Sequence, residues 1–207
     1  MKIGNYEYLI DENMVLSQQN PDPFEYNENY ISCYDDEKYK QATKQLMDIR
    51  CTLIREHLYC RGFELLDYGA GRGHFLDHLN QTLSFRKSYY YEPSGGFLFK
   101  ETFPEWGGEP VDVITLWDVL EHIPNIYKFV EDHKFRYYVV SVPNRPRLVE
   151  LETWKHLKPN EHLHHFDEES LVKFFKHHGY KKVFTGFPED QVRKGAKNIL
   201  TGIFRLW

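Results

Sequence analysis

A chain of 207 residues is about one compact domain, long enough to bury a core without disulfide or metal staples. Hydrophobic residues make up 41% and charged residues 28%, a globular rather than a disordered balance. The net charge of −5 argues against a large nucleic-acid footprint, which needs a basic field, so no nucleic-acid partner is expected.

Cys33, Cys51 and Cys60 cannot form a paired disulfide framework, and none stands in Cys-x-x-Cys spacing. They fit a reducing compartment, and the cytoplasm is the expected location. No apolar run approaches the ~20 residues of a membrane span. The opening Met-Lys-Ile-Gly-Asn-Tyr runs on into acids, so no signal peptide is expected. The 15 Tyr and 15 Phe serve either core packing or an aromatic-lined pocket, and composition does not choose.

Residues 1–35 are polar, aromatic and punctuated by Pro21 and Pro23. They predict an arm or lid with little regular structure, followed by a single domain over 36–207. From Asp36 a helix begins, with Ala42, Leu46, Ile49 and Leu53 at helical spacing, and Gly62 stops it. Phe63–Asp67 reads as a short buried strand running into a glycine-rich loop. His74–Leu83 places Phe75, Leu76 and Leu79 on one helical face. Ser88–Tyr91 is a second strand and Val111–Leu116 another, followed by a helix-like stretch to Lys134. Tyr137–Val142 is a further strand. A helix over Glu168–His178, with Asp167 as its N-cap, precedes two last strands at Lys181–Phe187 and Ile199–Trp207. Strands alternating with helices predict an α/β sheet, mostly parallel.

The informative segment is Asp67-x-Gly69-x-Gly71-x-Gly73, between a strand and a helix. Glycine there allows positive φ and close approach of a ligand to the backbone. The helix that follows offers unpaired N–H groups and a positive dipole end. Glu92, closing the next strand, is placed to take both hydroxyls of a ribose. A dinucleotide site would use Gly-x-Gly-x-x-Gly, but here His74 holds the third glycine's place. An acid before the first glycine suits an ammonium better than a pyrophosphate. Asp67 and Glu92 together therefore favour S-adenosylmethionine over a nicotinamide dinucleotide.

Five segments in order resemble the class I S-adenosylmethionine-dependent methyltransferases. Leu65-Leu66-Asp67-Tyr68-Gly69-Ala70-Gly71-Arg72-Gly73 is similar to their first motif, and Tyr91-Glu92-Pro93-Ser94 to the end of their second strand. Val111 through Ile123, including Trp117-Asp118-Val119-Leu120-Glu121-His122, resembles their fourth-strand segment. Val140-Ser141-Val142-Pro143-Asn144 resembles the fifth strand. His162-Leu163 through Phe166, then Ser170-Leu171 and Gly179-Tyr180, are similar to the ending of small-molecule members, which include ubiquinone-type O-methyltransferases and sugar C-methyltransferases.

The resemblance implies a Rossmann-like, doubly wound sheet, mostly parallel with an antiparallel last strand, in three α/β/α layers. It implies methyl transfer from S-adenosylmethionine to an oxygen or carbon of a small-molecule acceptor. It implies cofactor contacts at Asp67, Gly69, Ala70, Gly71, Gly73, Glu92, Pro93, Trp117 and Asp118. The span from Glu92 to Asp112 is short for a full helix and third strand, which leaves Glu101 or Glu105 as the adenine-contacting acid. Leu116-Trp117-Asp118-Val119 stands where amino-directed DNA methyltransferases carry Asn/Asp-Pro-Pro-Tyr/Phe, which argues against that activity.

An oxygen or carbon acceptor needs a base. His122, directly after the fourth strand, is the first candidate, and His162, from the cluster His162, His164 and His165, is the second. The bland alternatives are a packed helix start for His122 and a solvated polar loop for the cluster. His-x-His spacing alone fixes no zinc site, and no metal is expected. Tyr26 and Tyr30, one helical turn apart, close over the site or pack on the surface. Trp117 and Trp154 read as core or pocket wall, and His177-His178 as a structural helix end. Two other functions remain open: a non-catalytic S-adenosylmethionine or S-adenosylhomocysteine binder acting as a partner protein, and a nicotinamide oxidoreductase.

Overall fold

The computed structural model describes residues 1–25, 37–58, 61–193, 195 and 197–207. The predicted pair Tyr26 and Tyr30, the boundary between residues 35 and 36, and Cys33 and Cys60 lie outside the described residues. Cys51 is a buried free thiol.

A six-stranded sheet organises the chain. It is built from β4 (Glu64–Tyr68), β5 (Lys87–Tyr91), β6 (Val113–Trp117), β7 (Tyr137–Pro143), β9 (Tyr180–Gly186) and β10 (Ile199–Leu206), in the order β5-β4-β6-β7-β10-β9. The β4–β5, β4–β6 and β6–β7 pairs are parallel. β10 runs antiparallel between β7 and β9. Every residue of β6 and β7 is buried, as central parallel strands covered on both faces require.

Alternation along the strands feeds two cores. Leu65, Val113, Tyr137, Val139 and Ile203 pack against α1 (Glu37–His57) and α2 (His74–Thr82). Leu66, Ile114, Tyr138, Val140 and Phe204 pack against α3 (Ile126–Asp132) and α4 (Glu168–His177). These are the three expected layers. Phe75, Leu76 and Leu79 are buried on α2, and Asp167 closes a capping box with Ser170 at the start of α4.

As its shortness implies, the span between β5 and β6 holds no third strand. Only Glu105 bridges Tyr90 in parallel, with Trp106 N donating to Tyr90 O at 2.7 Å. The expected helix to Lys134 is split into a 3-10 turn at Leu120–His122 and α3, because Pro124 interrupts it and Asn125 caps the restart by accepting from Lys128 N.

Residues 1–18, expected to lack regular structure, form β1 (Lys2–Ile3), β2 (Tyr6–Ile10) and β3 (Leu16–Gln18). With β8 (His164–His165) they make a second, four-stranded sheet. Its apolar side, Ile3, Tyr8 and Leu16, packs with Leu151 of a 3-10 segment, Leu148–Thr153, that follows β7. A single strand of this sheet would not persist in water; pairing with β8 and the Leu151 contact give it a face to bury. No helix among the described residues is long and apolar enough to cross a membrane.

Candidate active site

The carboxyl ends of β4, β5 and β6 open into one cavity of about 380 Å³, a size usual for small-molecule pockets. This is where an open α/β sheet binds ligands. Of the nine residues expected to hold a cofactor, Asp67, Gly69, Ala70, Gly71, Glu92, Pro93, Trp117 and Asp118 line it. Gly73 does not. A Cβ there would stand 2.5 Å from Phe97 Cε2, and one at Gly69 would stand 2.5 Å from Val119 Cγ2, so both glycines permit close packing behind the loop. Gly71 differs: its φ is +55° and a Cβ would meet no protein atom within 4 Å. Its open side leaves room for a ligand to lie on the backbone.

Asp67 is the penultimate residue of β4, 2% exposed, with Thr115 Oγ1 donating to its Oδ1 at 2.7 Å. Burial pushes its carboxyl up to about 7, against the opposing pull of that hydrogen bond and of Arg50. A cation brought beside it would restore the anion. Glu92 faces it across the loop; one oxygen accepts from Gly71 N at 2.6 Å and the other from Ser94 N at 2.9 Å. The two acids and the bare backbone at Gly71 fit an amino-acid end and a ribose. Pyrophosphate beside a buried carboxylate would meet like charge. The residues therefore fit S-adenosylmethionine better than a dinucleotide. Neither Glu101 nor Glu105 lines the cavity.

Sequence reasoning missed the opposite wall. Arg50 of α1 is buried and reaches into the cavity between Asp118 and Glu189. Its Nε donates to Glu189 Oε1 at 2.8 Å and its Nη2 to Asp118 Oδ2 at 3.3 Å, while its guanidinium lies 4.5 Å from the Trp117 ring centroid. Arg193, of α5 (Asp190–Arg193), pairs with Asp118 as well, and its Nε lies 2.9 Å from Glu189 Oε2. Two cations and two anions thus close a neutral network at the cavity edge. Burial would raise the Asp118 carboxyl, but Arg193 and Arg50 outweigh it and hold it below the usual range. Asp118 also takes φ +57°, unusual for a residue with a Cβ, with its N–H held by Ser141 O at 3.0 Å. One signal was legible: Arg50 interrupts the apolar stripe Leu46, Met47, Leu53 and Ile54, where a cation needs a buried partner.

His122 lines the cavity and His162 does not. The expectation that His162 reaches into it gives way to an indirect placement: its ring meets that of His122 edge to face, with centroids 4.7 Å apart. Burial lowers the His122 imidazole and, with His122 beside it, lowers His162 to about 4. Glu121, between Leu120 and His122, is 1% exposed, and burial with the neighbouring Asp118 charge raises its carboxyl well above the usual range. His164 hydrogen-bonds Ser17 Oγ at 2.8 Å and Ile123 O at 3.0 Å, and His165 lies between the rings of Tyr8 and Trp154. His164 thus ties the small sheet to the turn after β6, His165 packs within the small-sheet cluster, and neither lines the cavity. His178 is also buried, at the end of α4.

Comparison with known proteins places this geometry. A family model described as a methyltransferase domain matches residues 34–184. The chain belongs to that family. No curated protein sequence matches it. Among solved structures it is similar to an S-adenosylmethionine-dependent methyltransferase from Aquifex aeolicus, with a TM-score of 0.62 at 15% identity over 88% of this chain and 100% of that one. It is similar to magnesium protoporphyrin IX methyltransferase from Synechocystis PCC 6803 with bound SAH, with a TM-score of 0.59 at 15% identity over 90% of each chain. It is also similar to the 1,6-didemethyltoxoflavin-N1-methyltransferase of Burkholderia thailandensis with its acceptor and S-adenosylhomocysteine bound, with a TM-score of 0.58 at 14% identity over 97% and 99%. At such identities the likeness concerns the fold.

Proposed function

We propose that this methyltransferase uses S-adenosylmethionine to methylate an oxygen or carbon of a small-molecule acceptor. The observation that carries the reading is Asp67: a buried carboxylate without a neutralising cation of its own, set beside the open backbone of Gly71 and opposite Glu92. Neighbouring folds that hold SAH, one of them an N1-methyltransferase with a small molecule bound, support the cofactor and the small-molecule class of acceptor.

When bound, the cofactor supplies a sulfonium methyl whose C–S electron pair stays on sulfur. Asp67 would pair with the ammonium, Gly71 would leave room for the ligand on its backbone, and Glu92 would exchange its loop contacts for the ribose hydroxyls. The Arg50–Glu189–Arg193–Asp118 network would fix the turn after β6 and so the wall that carries Trp117. The acceptor would enter at the His122 side, with its lone pair forming the new bond to the methyl carbon. Its proton would pass toward His122, whose orientation His162 fixes by ring contact; His162 is then a positioning residue.

Calorimetry with S-adenosylhomocysteine and NAD(H) side by side tests the cofactor. Binding of NAD(H) alone would overturn the reading. Turnover with radiolabelled methyl across a panel of phenols, sugars and carboxylic acids tests catalysis. Tight S-adenosylhomocysteine binding with no labelled product anywhere would instead mark a non-catalytic partner protein.

A further inference from the structure

The structure assigns to Glu121, His122 and His162 a binding site for one divalent first-row transition-metal ion, in the wall between the cavity and β8. One ligand atom from each lies within 4.8 Å of the others. Neither oxygen of Glu121 has a hydrogen-bond partner, although the residue is 1% exposed. Buried polar atoms are nearly always satisfied, and a carboxylate with both oxygens orphaned needs a counterpart.

The two imidazoles are prepared for that role by what holds their other nitrogens. Nδ1 of His122 lies 2.8 Å from Glu161 O, and Nδ1 of His162 lies 2.9 Å from His156 O. A carbonyl oxygen can only accept, so the proton sits on Nδ1 and the lone pair on Nε2 in both rings. An Nδ1–H tied to a backbone carbonyl is the arrangement that orients histidine ligands to metals. His122 Nε2 lies 3.9 Å from Glu121 Oε1.

The backbone joins the ligands as well. Leu163 N donates to Glu121 O at 2.8 Å, so the segment carrying His162 is held to the 3-10 turn carrying the other two. Metal–ligand distances of about 2.0–2.2 Å in a tetrahedral shell put ligand atoms about 3.3–3.6 Å apart, so a set whose atoms lie within 4.8 Å of one another closes by at most about 1.5 Å on binding. Two imidazoles and a carboxylate suit zinc, cobalt, iron or manganese rather than calcium.

This site deepens the acceptor end of the reading above and rests on that reading for its role. Since His122 lines the cavity, an acceptor hydroxyl at that wall would meet the cation. Coordination lowers the hydroxyl's pKa, so its proton leaves to solvent and the oxygen keeps the lone pair that attacks the methyl. His122 would then be a ligand rather than the base.

The test uses the full chain stripped of metal, with Co2+ and then Zn2+ as probes. Wild type should bind one Co2+ per chain with visible absorption, and Zn2+ should displace it. Glu121→Gln and His162→Asn should each weaken Co2+ at least about tenfold. His164→Asn, whose native ring is hydrogen-bonded through both nitrogens, should bind as wild type does. Should the variants fail to fold, X-ray absorption of the zinc-loaded wild type decides. A nitrogen and oxygen shell with two imidazoles supports the site, and a sulfur ligand or fewer than two imidazoles overturns it. Absence of Co2+ binding by folded wild type also overturns it. S-adenosylhomocysteine affinity measured on the same samples separates the two ideas. If that affinity is present without metal binding, this site alone falls. If metal binds without it, the cofactor reading falls and the site stands.

Discussion

Protonation of Asp67 and binding of the cofactor should compete. In the free chain, burial lifts this carboxyl to about 7. An ammonium seated against it requires the anion, so binding must expel the proton from whatever fraction of Asp67 carries one. Below pH 7 the apparent affinity for S-adenosylhomocysteine should therefore fall by about tenfold per pH unit. At alkaline pH it should fall again, as the ligand's own α-amino group loses its proton. The optimum lies between the two titrations.

Asp67→Asn removes one of the two titrations. It keeps a side chain of nearly the same shape beside Thr115 but loses the charge. A charge-assisted contact is worth about 1.5–3 kcal/mol, so binding at pH 7.5 should weaken by about ten- to a hundredfold. The acidic limb should disappear with it, while the alkaline limb remains. Isothermal titration between pH 5.5 and 9 reads both. An affinity in wild type that stays flat from pH 7 to pH 5.5 would refute the pairing of Asp67 with an ammonium. So would an acidic limb that survives in Asp67→Asn.

Other substitutions report on single contacts. Glu92→Gln places an amide against Gly71 N or Ser94 N, and S-adenosylhomocysteine affinity by titration should drop at least about threefold in the folded variant. Gly71→Val should abolish that binding while lowering the melting temperature only by the strain of positive φ, whereas Gly73→Ala should lower it further, because its Cβ meets Phe97 at 2.5 Å. Glu189→Gln removes one anion from the arginine network and should cost about 3–5 kcal/mol by urea denaturation, since Glu189 and Arg50 are buried. His162 and His164 are lowered to about 4 and His165 to about 3, below their unfolded value, so their stabilising contribution is present above pH 6.5 and is lost as pH falls toward 4. Asp67 and Glu121, raised instead, contribute with the opposite sign, but the lowered histidines, His122, His156 and His178 included, outnumber them, and thermal melts should show net acid destabilisation over that window.

Much of the cofactor half was legible because it is local. Strand, glycines, helix and second acid follow one another in the chain, and each obeys a rule about its immediate neighbours. Gly73 shows the limit of that logic. It belongs to the same loop, yet its reason is Phe97 and Phe99 packed behind it, which no spacing reveals. The small sheet was missed for a related reason. Gly4-Asn5 between Lys2-Ile3 and Tyr6–Ile10 is a two-residue hairpin signal, but the third strand gains its last neighbour only when β8 arrives from the far end of the chain. Arg50, Glu189 and Arg193 are likewise remote in sequence, and only Arg50 betrayed itself by interrupting an apolar stripe.

The Asp67 and Glu92 part of the cofactor wall is made by consecutive strand ends, β4 and β5. The wall at His122 is made by convergence. Glu121 and His122 come from the turn after β6, His162 from the segment before β8, and the small sheet grips that segment through Gln18 N to Leu163 O at 2.8 Å and through His164. Residues 1–18 therefore brace the His122 wall, where the acceptor is proposed to bind. Weakening the brace by Tyr8→Ala, which empties a site 2% exposed between Leu16 and His165, should loosen His162 and reduce methyl transfer while S-adenosylhomocysteine affinity holds within about threefold. An equal loss in both would mean that the small sheet supports the whole domain rather than this wall.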